Sequence, residues 1–197
     1  MIEDKLAQVG LILPKAAKPT FAYVPVTLHD GVAYVSGQLP KIDGEVRVFG
    51  KVGREVTLDA ARKEARVCAL QALACLKEAL GDLSRLRRVL KLTGFVASAP
   101  GFNEQPKVID AASELLVELL GESGRHARSA IGVAELPRDA GGRDRIRSHL
   151  CAIRKRRPAK GRLAITIDKG RRDDVAKVRR ATRATTLIST SSLSAEE

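Results

Sequence analysis

The residues best suited to chemistry lie in the stretch 125–137, which reads RHARSAIGVAELP. From Ser129 onward the side chains alternate between two sides, which predicts a strand that Pro137 ends because proline has no N–H to donate. Arg128 lies at the start of this strand, after a Gly-containing turn. A guanidinium held on a rigid element offers a planar fork that fits a carboxylate. An exposed strand arginine, or one paired with a structural acid, is nevertheless the more common outcome for this residue type.

Other residue types that could catalyse a reaction are present but are not grouped. The three histidines are His29, His126 and His149. None has a second ligand at metal-binding spacing, so we predict no metal site. His126 is close to Arg128, where a loop histidine is more common than a catalytic base. Ser36 ends a predicted strand, as a turn serine would, and nothing locates the histidine base that acyl transfer would need.

The composition is that of one domain, or of one domain with an extension, in a chain of 197 residues. Tryptophan is absent and aromatic residues are few, so the core must be built from aliphatic side chains. Cys68 and Cys75 lie on an apolar helical face, and Cys151 stands apart, a spacing typical of reduced thiols rather than of a metal site. We find no membrane-spanning apolar run and no signal peptide, and we therefore expect a soluble cytoplasmic protein.

The hydrophobic pattern predicts a mixed α/β (α+β) fold with the order strand, strand, helix, strand, helix, strand. The first two strands, at residues 22–28 and 32–36, are joined by Asp30-Gly31, a strong hairpin signal. The two helices, at about residues 57–80 and 105–120, each carry one apolar stripe, so both can lie on the same face of one mixed sheet. The opposite face then needs cover, which oligomerisation would provide.

Two motifs in this pattern resemble a known family. Arg128-Ser129, the short strand and Leu136-Pro137 resemble the C-terminal signature of the RidA/YjgF family of imine and enamine deaminases, also described as L-PSP-like endoribonucleases. Tyr23 followed by Ser36-Gly37-Gln38 resembles a second family motif with similar spacing. The resemblance covers residues 1–140.

The resemblance implies a chorismate mutase-like fold and a homotrimer with a cleft at each subunit boundary. It also implies hydrolysis of reactive 2-imino or 2-enamino acids to 2-keto acids and ammonia, with no cofactor. Arg128 would hold the substrate carboxylate, while Tyr23, Ser36, Gly37 and Ala130 match positions that line or border the same cleft. A protonated imine is already electrophilic, so the protein needs to do little more than fix the substrate and orient one water.

The chain departs from the family pattern after residue 140. Family members continue with a strand of the type Pro-Val-Glu-Ile-Glu-Ala, whose glutamate can position the attacking water, and we expect that strand to be missing here. Residues 141–197 hold 16 of the 35 Lys and Arg but only 6 of the 23 Asp and Glu. We therefore predict a RidA/YjgF-like domain over residues 1–140 and a basic, mostly disordered tail over residues 141–197.

Alternatives remain open for both the tail and the function. The tail is a solvated extension without a role, a segment that binds RNA or another polyanion, or the product of a shifted reading frame. For the last of these, residues 142–148 can be encoded so that a shift of one base gives Val-Glu-Ile-Glu-Ser-Asp. For the whole protein, the alternatives to the deaminase are a non-catalytic trimeric binder of small molecules and a nucleic-acid binder that uses the tail.

Overall fold

The computed structural model describes residues 2–16, 18, 21–136 and 146–154. Its elements in chain order are α1 (Ile2–Gln8), β1 (Val26–His29), β2 (Val32–Gln38), β3 (Lys41–Ile42), β4 (Glu45–Val46), α2 (Leu58–Leu80), β5 (Leu86–Ala97), α3 (Gln105–Leu120), β6 (Ala127–Val133) and β7 (Ile146–Arg154). Two short 3-10 turns, Leu83–Arg85 and Gly121–Gly124, precede β5 and β6. All these elements belong to one compact unit, Met1–Arg156.

Five of the strands form one mixed sheet in the order β1-β2-β7-β5-β6. Strands β5 and β6 are parallel, and every other neighbouring pair in this sheet is antiparallel. Strands β3 and β4 form a separate two-stranded hairpin. The sheet therefore has two outer strands, β1 and β6, and its centre is occupied by β7, the last of the described strands.

The central position of β7 corrects the expectation that the last family strand is missing. Backbone pairing joins β7 to β2 on one side and to β5 on the other, with Leu150 opposite both Val35 and Leu92. A ladder uses backbone groups, which the loss of the family's glutamates does not remove. The apolar run at residues 150–153, LCAI, is the signal in the sequence that points to this strand.

The compact unit extends to Arg156, whereas the sequence predicts a domain end at residue 140. Residues 137–145 and 155–197 lie outside the described part of the chain. The disorder of the tail, its binding of polyanions and the shifted reading frame therefore stay predictions.

The turn of the first hairpin forms where the sequence predicts it, although β1 begins at Val26 rather than at residue 22. Strands β1 and β2 are joined by Asp30 and Gly31, which both have positive φ, 44° and 83°. This geometry matches the right-handed twist of the flanking strands, and glycine and aspartate are among the residues that tolerate it. The turn aligns His29 with Val32 and fixes the register along the whole pair.

The long helix α2 has the predicted start and end. The Thr57 Oγ1 atom accepts a hydrogen bond from the N–H of Ala60 at 3.3 Å, which satisfies one of the free donors of the first turn. Gly81 ends the helix in a left-handed conformation, and its N–H donates to the Lys77 carbonyl at 2.8 Å. Ala61, Cys68, Leu73 and Leu76 on this helix are buried in the core.

Helices α2 and α3 pack side by side on one face of the sheet, as predicted. Helix α2 contacts β2 and β7, α3 contacts β5 and β6, and the two helices contact each other. Gly94 on β5 lies directly under Ile109 of α3. A Cβ atom at Gly94 would overlap the Ile109 side chain. Close packing, rather than a bulge, is therefore the reason for glycine at this position.

The opposite face of the sheet is uncovered in the single subunit. Tyr34 on β2 alternates with the buried Ala33 and Val35, so it lies on this open face and is exposed. Ile131 on β6 is also exposed, and it pairs with Phe95 of β5. Among the described helices, none is long and apolar enough to cross a membrane.

Candidate functional site

Arg128 lies on the outer strand β6, and its side chain reaches toward α3. Its Nη1 atom donates to the Asp110 Oδ1 atom and, at 3.3 Å, to the Ser113 Oγ atom. Asp110 and Ser113 are three residues apart, so they share one face of the helix. The side chain of Arg128 is 28% exposed and that of Asp110 is 42% exposed, so the ion pair lies at the surface.

A chain of hydrogen bonds continues from Arg128 to the loop before β6. The Ser113 Oγ atom is 3.1 Å from the His126 Nε2 atom, and the His126 Nδ1 atom is 2.5 Å from the Gly124 carbonyl oxygen. A carbonyl oxygen only accepts, so Nδ1 carries a proton and, in the neutral ring, Nε2 accepts from the Ser113 hydroxyl. The hydroxyl oxygen is then free to accept from Arg128. His126 therefore serves to orient Ser113, through a ring that the Gly124 carbonyl holds in place.

The contacts of Arg128 leave one edge of its guanidinium available. The two hydrogens of Nη1 are those that point to Asp110 and Ser113. Among the described residues, no hydrogen bond involves the Arg128 Nε or Nη2 atoms. These two atoms form the side-on fork that binds a carboxylate with two parallel hydrogen bonds. Asp110 and Ser113 thus fix the guanidinium without using that fork.

Tyr23 and Ser36, two further predicted site residues, lie together beside the other outer strand, β1. The Ser36 Oγ atom donates to the Val24 carbonyl at 2.7 Å, and the Ser36 N–H donates to the Pro25 carbonyl at 2.8 Å. These bonds hold the segment that precedes β1 against the end of β2. Tyr23 belongs to this segment and is 45% exposed, with the exposed Phe21 and Val24 as neighbours.

Gly37 and Ala130 complete the predicted set. Gly37 lies in β2, where the register with β7 shifts between Val35 and Gln38. Ala130 lies in β6 opposite Gly94 and is partly buried against the core. Neither position carries a side chain larger than a methyl group.

The fold divides these residues into two groups at opposite edges of the sheet. A row of cross-strand neighbours runs from Val35 of β2 to Arg128 of β6. It passes through Leu150 of β7 and Leu92 of β5. Arg128 is therefore three strand spacings from the neighbour of Ser36, a distance of about 14 Å. Within one subunit, Arg128 and Ala130 do not meet Tyr23, Ser36 and Gly37.

Two surface clefts of the subunit lie away from Arg128. The larger, of about 620 Å³, is lined by loop residues that include Lys15, by Lys41 of β3 and by Gln71 of α2. The smaller, of about 190 Å³, lies between Pro25 and Cys75. In the described part of the chain, no three His, Cys, Asp or Glu side chains are grouped so that they could hold a metal ion.

Glu64 of α2 is only 8% exposed, and this burial raises the pKa of its carboxyl group. Its Oε2 atom is buried without a hydrogen-bond partner among the described residues. Glu64 lies on a different helix from the residues that contact Arg128, so it does not belong to the candidate site.

Asp110 and Ser113 are the site residues that the sequence analysis missed. They lie 18 and 15 residues before Arg128 in the chain, and only the packing of α3 against β6 brings them together. A weak signal was available, because both residues lie at helical spacing and Asp110 lies beside the apolar stripe of α3.

Comparisons with known proteins agree with this fold and these motifs. Residues 3–140 match the model of the YjgF/chorismate mutase-like endoribonuclease family. Protein TCP17 of Trypanosoma cruzi is 45% identical over 137 residues, which are 69% of this chain and 86% of TCP17.

Two solved structures are similar to the chain over a larger share of its length. The protein Atu1372 of unknown function from Agrobacterium tumefaciens is 46% identical with a TM-score of 0.71, covering 78% of this chain and 92% of its own. A candidate endoribonuclease from Shewanella oneidensis is 31% identical with a TM-score of 0.73, covering 78% and 99% of the two chains. The expected resemblance is therefore confirmed, and the chain belongs to the YjgF/chorismate mutase-like (RidA/YjgF) family.

Proposed function

We propose that the protein hydrolyses reactive 2-imino and 2-enamino acids to 2-keto acids and ammonia, with Arg128 holding the substrate carboxylate. The observation that carries this proposal is the anchored guanidinium. Nη1 is fixed by Asp110 and Ser113, while Nε and Nη2 have no partner among the described residues. Such a fork is held ready for a carboxylate, because its orientation is set before the ligand arrives.

The reaction needs a water molecule, a proton and a fixed substrate. An enamine first takes a proton at C3 to become the imine. Water then adds to C2 of the protonated imine and gives a carbinolamine, which expels ammonia as its C2–N bond breaks. The water oxygen becomes the keto oxygen of the product. The main contribution of the protein to these reaction steps is to hold the substrate in a fixed orientation by its carboxylate.

The site would be completed by a second subunit in a homotrimer. Arg128 and Ala130 lie at the β6 edge, whereas Tyr23, Ser36 and Gly37 lie near the β1 edge. Outer strands carry unpaired backbone groups, and the open face carries the exposed side chains of Tyr34 and Ile131. A neighbouring subunit that lies against the β6 edge would bring its Tyr23 segment next to Arg128.

A second candidate function is non-catalytic binding of small carboxylates. The ion pair between Arg128 and Asp110 favours it, because a structural acid already satisfies part of the guanidinium. No acid other than Asp110 contacts Arg128 among the described residues, so a group to position the attacking water is not evident.

Turnover of a freshly generated imino acid separates the two functions. An amino-acid oxidase supplies the imine, and the release of 2-keto acid is followed with and without the protein. We expect acceleration by the wild type, a loss of at least about 100-fold in Arg128→Ala, and partial rescue in Arg128→Lys, whose ammonium cannot form the bidentate fork. Arg125→Ala is the matched control, since Arg125 is exposed and pairs with Glu122 three residues away. Full activity of Arg128→Ala would contradict the proposal, and carboxylate binding without turnover would favour the binder.

A further inference from the structure

The charges around Arg128 suggest which carboxylates the site prefers. We propose that Asp110 makes the site selective for zwitterions, which carry a cationic nitrogen beside the carboxylate, over 2-keto acids of the same size. The inference rests on the proposed carboxylate site at Arg128. Its basis is the contact between Asp110 Oδ1 and Arg128 Nη1, on the side of the guanidinium away from the Nε edge.

The ion pair at the empty site is electrically balanced. Arg128 contributes one positive charge and Asp110 contributes one negative charge. His126 lies one hydrogen bond further away, with Ser113 between it and the guanidinium. The charge of an arriving ligand therefore decides the net charge of the occupied site.

A simple 2-keto acid upsets this balance. Its carboxylate at the Nε and Nη2 atoms would share one guanidinium with the Asp110 carboxylate, which leaves one negative charge in excess. Two carboxylates a few ångströms apart repel each other and oppose binding. A ligand with a protonated imine or amine next to its carboxylate brings its own positive charge and keeps the site neutral.

Asp110 also keeps one carboxylate oxygen unengaged. Its side chain is 42% exposed, and its Oδ2 atom has no hydrogen bond to any residue that the structure describes. The negative charge of this carboxylate would attract the cationic nitrogen of a ligand bound to the same guanidinium. Asp110 is thus a specificity-determining residue as well as the residue that positions Arg128.

This arrangement has a consequence for the proposed reaction. The substrate is a zwitterion when its imine is protonated, whereas the product is an anion. The site would hold the substrate and repel the 2-keto acid after ammonia has left. Selectivity of this kind limits inhibition by product without any movement of the chain.

Unreactive ligands test the inference without turnover. Both enantiomers of alanine represent the zwitterion, and pyruvate represents the keto acid of the same length. Binding to the full chain is measured by NMR titration at low salt, because screening weakens charge effects. We expect the wild type to bind alanine roughly tenfold more tightly than pyruvate. In Asp110→Asn this ratio should fall to about one, mainly through tighter pyruvate binding, and Asp110→Glu should retain selectivity.

Two controls separate the inference from the proposed function. Glu114→Gln removes a carboxylate from the same helix that pairs with Arg62 instead, and it should leave the ratio unchanged. Arg128→Ala should abolish the binding of both ligands. An unchanged ratio in a folded Asp110→Asn protein would overturn the role of Asp110 while leaving the carboxylate site intact. Failure of both ligands to bind the wild type, or binding that survives in Arg128→Ala, would overturn the carboxylate site itself.

Discussion

At the scale of single residues, the sequence singles out Arg128 as a candidate but does not reveal the side chains that contact it. A strand arginine after a turn can be recognised from its neighbours in the chain, and the Arg-Ser pair adds the family signature. Asp110 and Ser113 could not be found in this way, because their relation to Arg128 depends on how α3 packs on β6. Whether Arg128 forms a structural ion pair or a ligand site depends on which guanidinium atoms are hydrogen-bonded. The sequence does not show this, whereas the structure does.

Glu64 offers a test of stability at the same scale. Burial raises the pKa of this carboxyl above its ordinary value. The folded state therefore binds the proton more tightly than the unfolded state, so the contribution of Glu64 to stability is greatest at low pH. That contribution is lost as the pH rises through the folded-state pKa. At neutral pH the buried charge destabilises the fold.

We expect Glu64→Gln to increase the free energy of unfolding by about 1 kcal/mol at pH 7 and to have little effect near pH 4. Urea denaturation at the two pH values measures this difference. Glu114→Gln is the control, since its exposed side chain pairs with Arg62 and should show no gain at pH 7. A Glu64→Gln protein that is less stable than the wild type at pH 7 would mean that the carboxylate has a partner.

At the scale of elements, the two long helices were predicted almost to the residue. Their apolar stripes, the cap at Thr57 and the stop at Gly81 are local signals, and the structure uses each of them. Strand β6 ends at Val133, before the predicted stop at Pro137, because parallel pairing with β5 reaches only to Ala97. Strand β7 was missed because its surroundings are rich in arginine, and the short apolar run inside it was overlooked.

The central position of β7 predicts where the chain can be shortened. A protein that ends after residue 156 retains all described strands, whereas one that ends after residue 140 lacks the strand that joins β2 to β5. The shorter protein would leave two strands with unpaired edges in the middle of the sheet. We expect the 1–156 protein to unfold cooperatively and the 1–140 protein to be aggregated or unfolded.

Circular dichroism and thermal melting compare the two truncated proteins with the full chain. The 1–156 protein serves as the control for loss of the basic extension, since it lacks 10 of the 16 Lys and Arg of residues 141–197. Cooperative unfolding of the 1–140 protein at the temperature of the full chain would show that residues 146–154 do not support the fold. In that case the domain end that the sequence predicts, at residue 140, would be correct.

At the scale of the whole molecule, the candidate site residues lie in two groups near the two edges of the sheet, and we propose that a neighbouring subunit joins them. The sequence predicted the open sheet face from the single apolar stripe on each helix. It could not show that the predicted site residues separate into an Arg128 group and a Tyr23 group, because that separation follows from the strand order. The strand order places the last strand of the chain between the second and the fifth, a long-range pairing that local patterns do not encode.

The most direct test of the account is to mix two inactive variants. Arg128→Ala lacks the side chain that we propose to bind the substrate carboxylate. Tyr23→Ala lacks the side chain that we propose to line the site from the neighbouring subunit. Each variant alone should lose most of its imine hydrolysis. Co-expressed in equal amounts, they should form mixed trimers in which about a quarter of the sites combine an intact Arg128 with an intact Tyr23. We predict that the mixture recovers about a quarter of the wild-type rate, while a double variant carrying both changes in one chain recovers none. If both variants are inactive alone and the mixed trimers remain inactive, Arg128 and Tyr23 do not meet across a subunit boundary, and the proposed site is wrong.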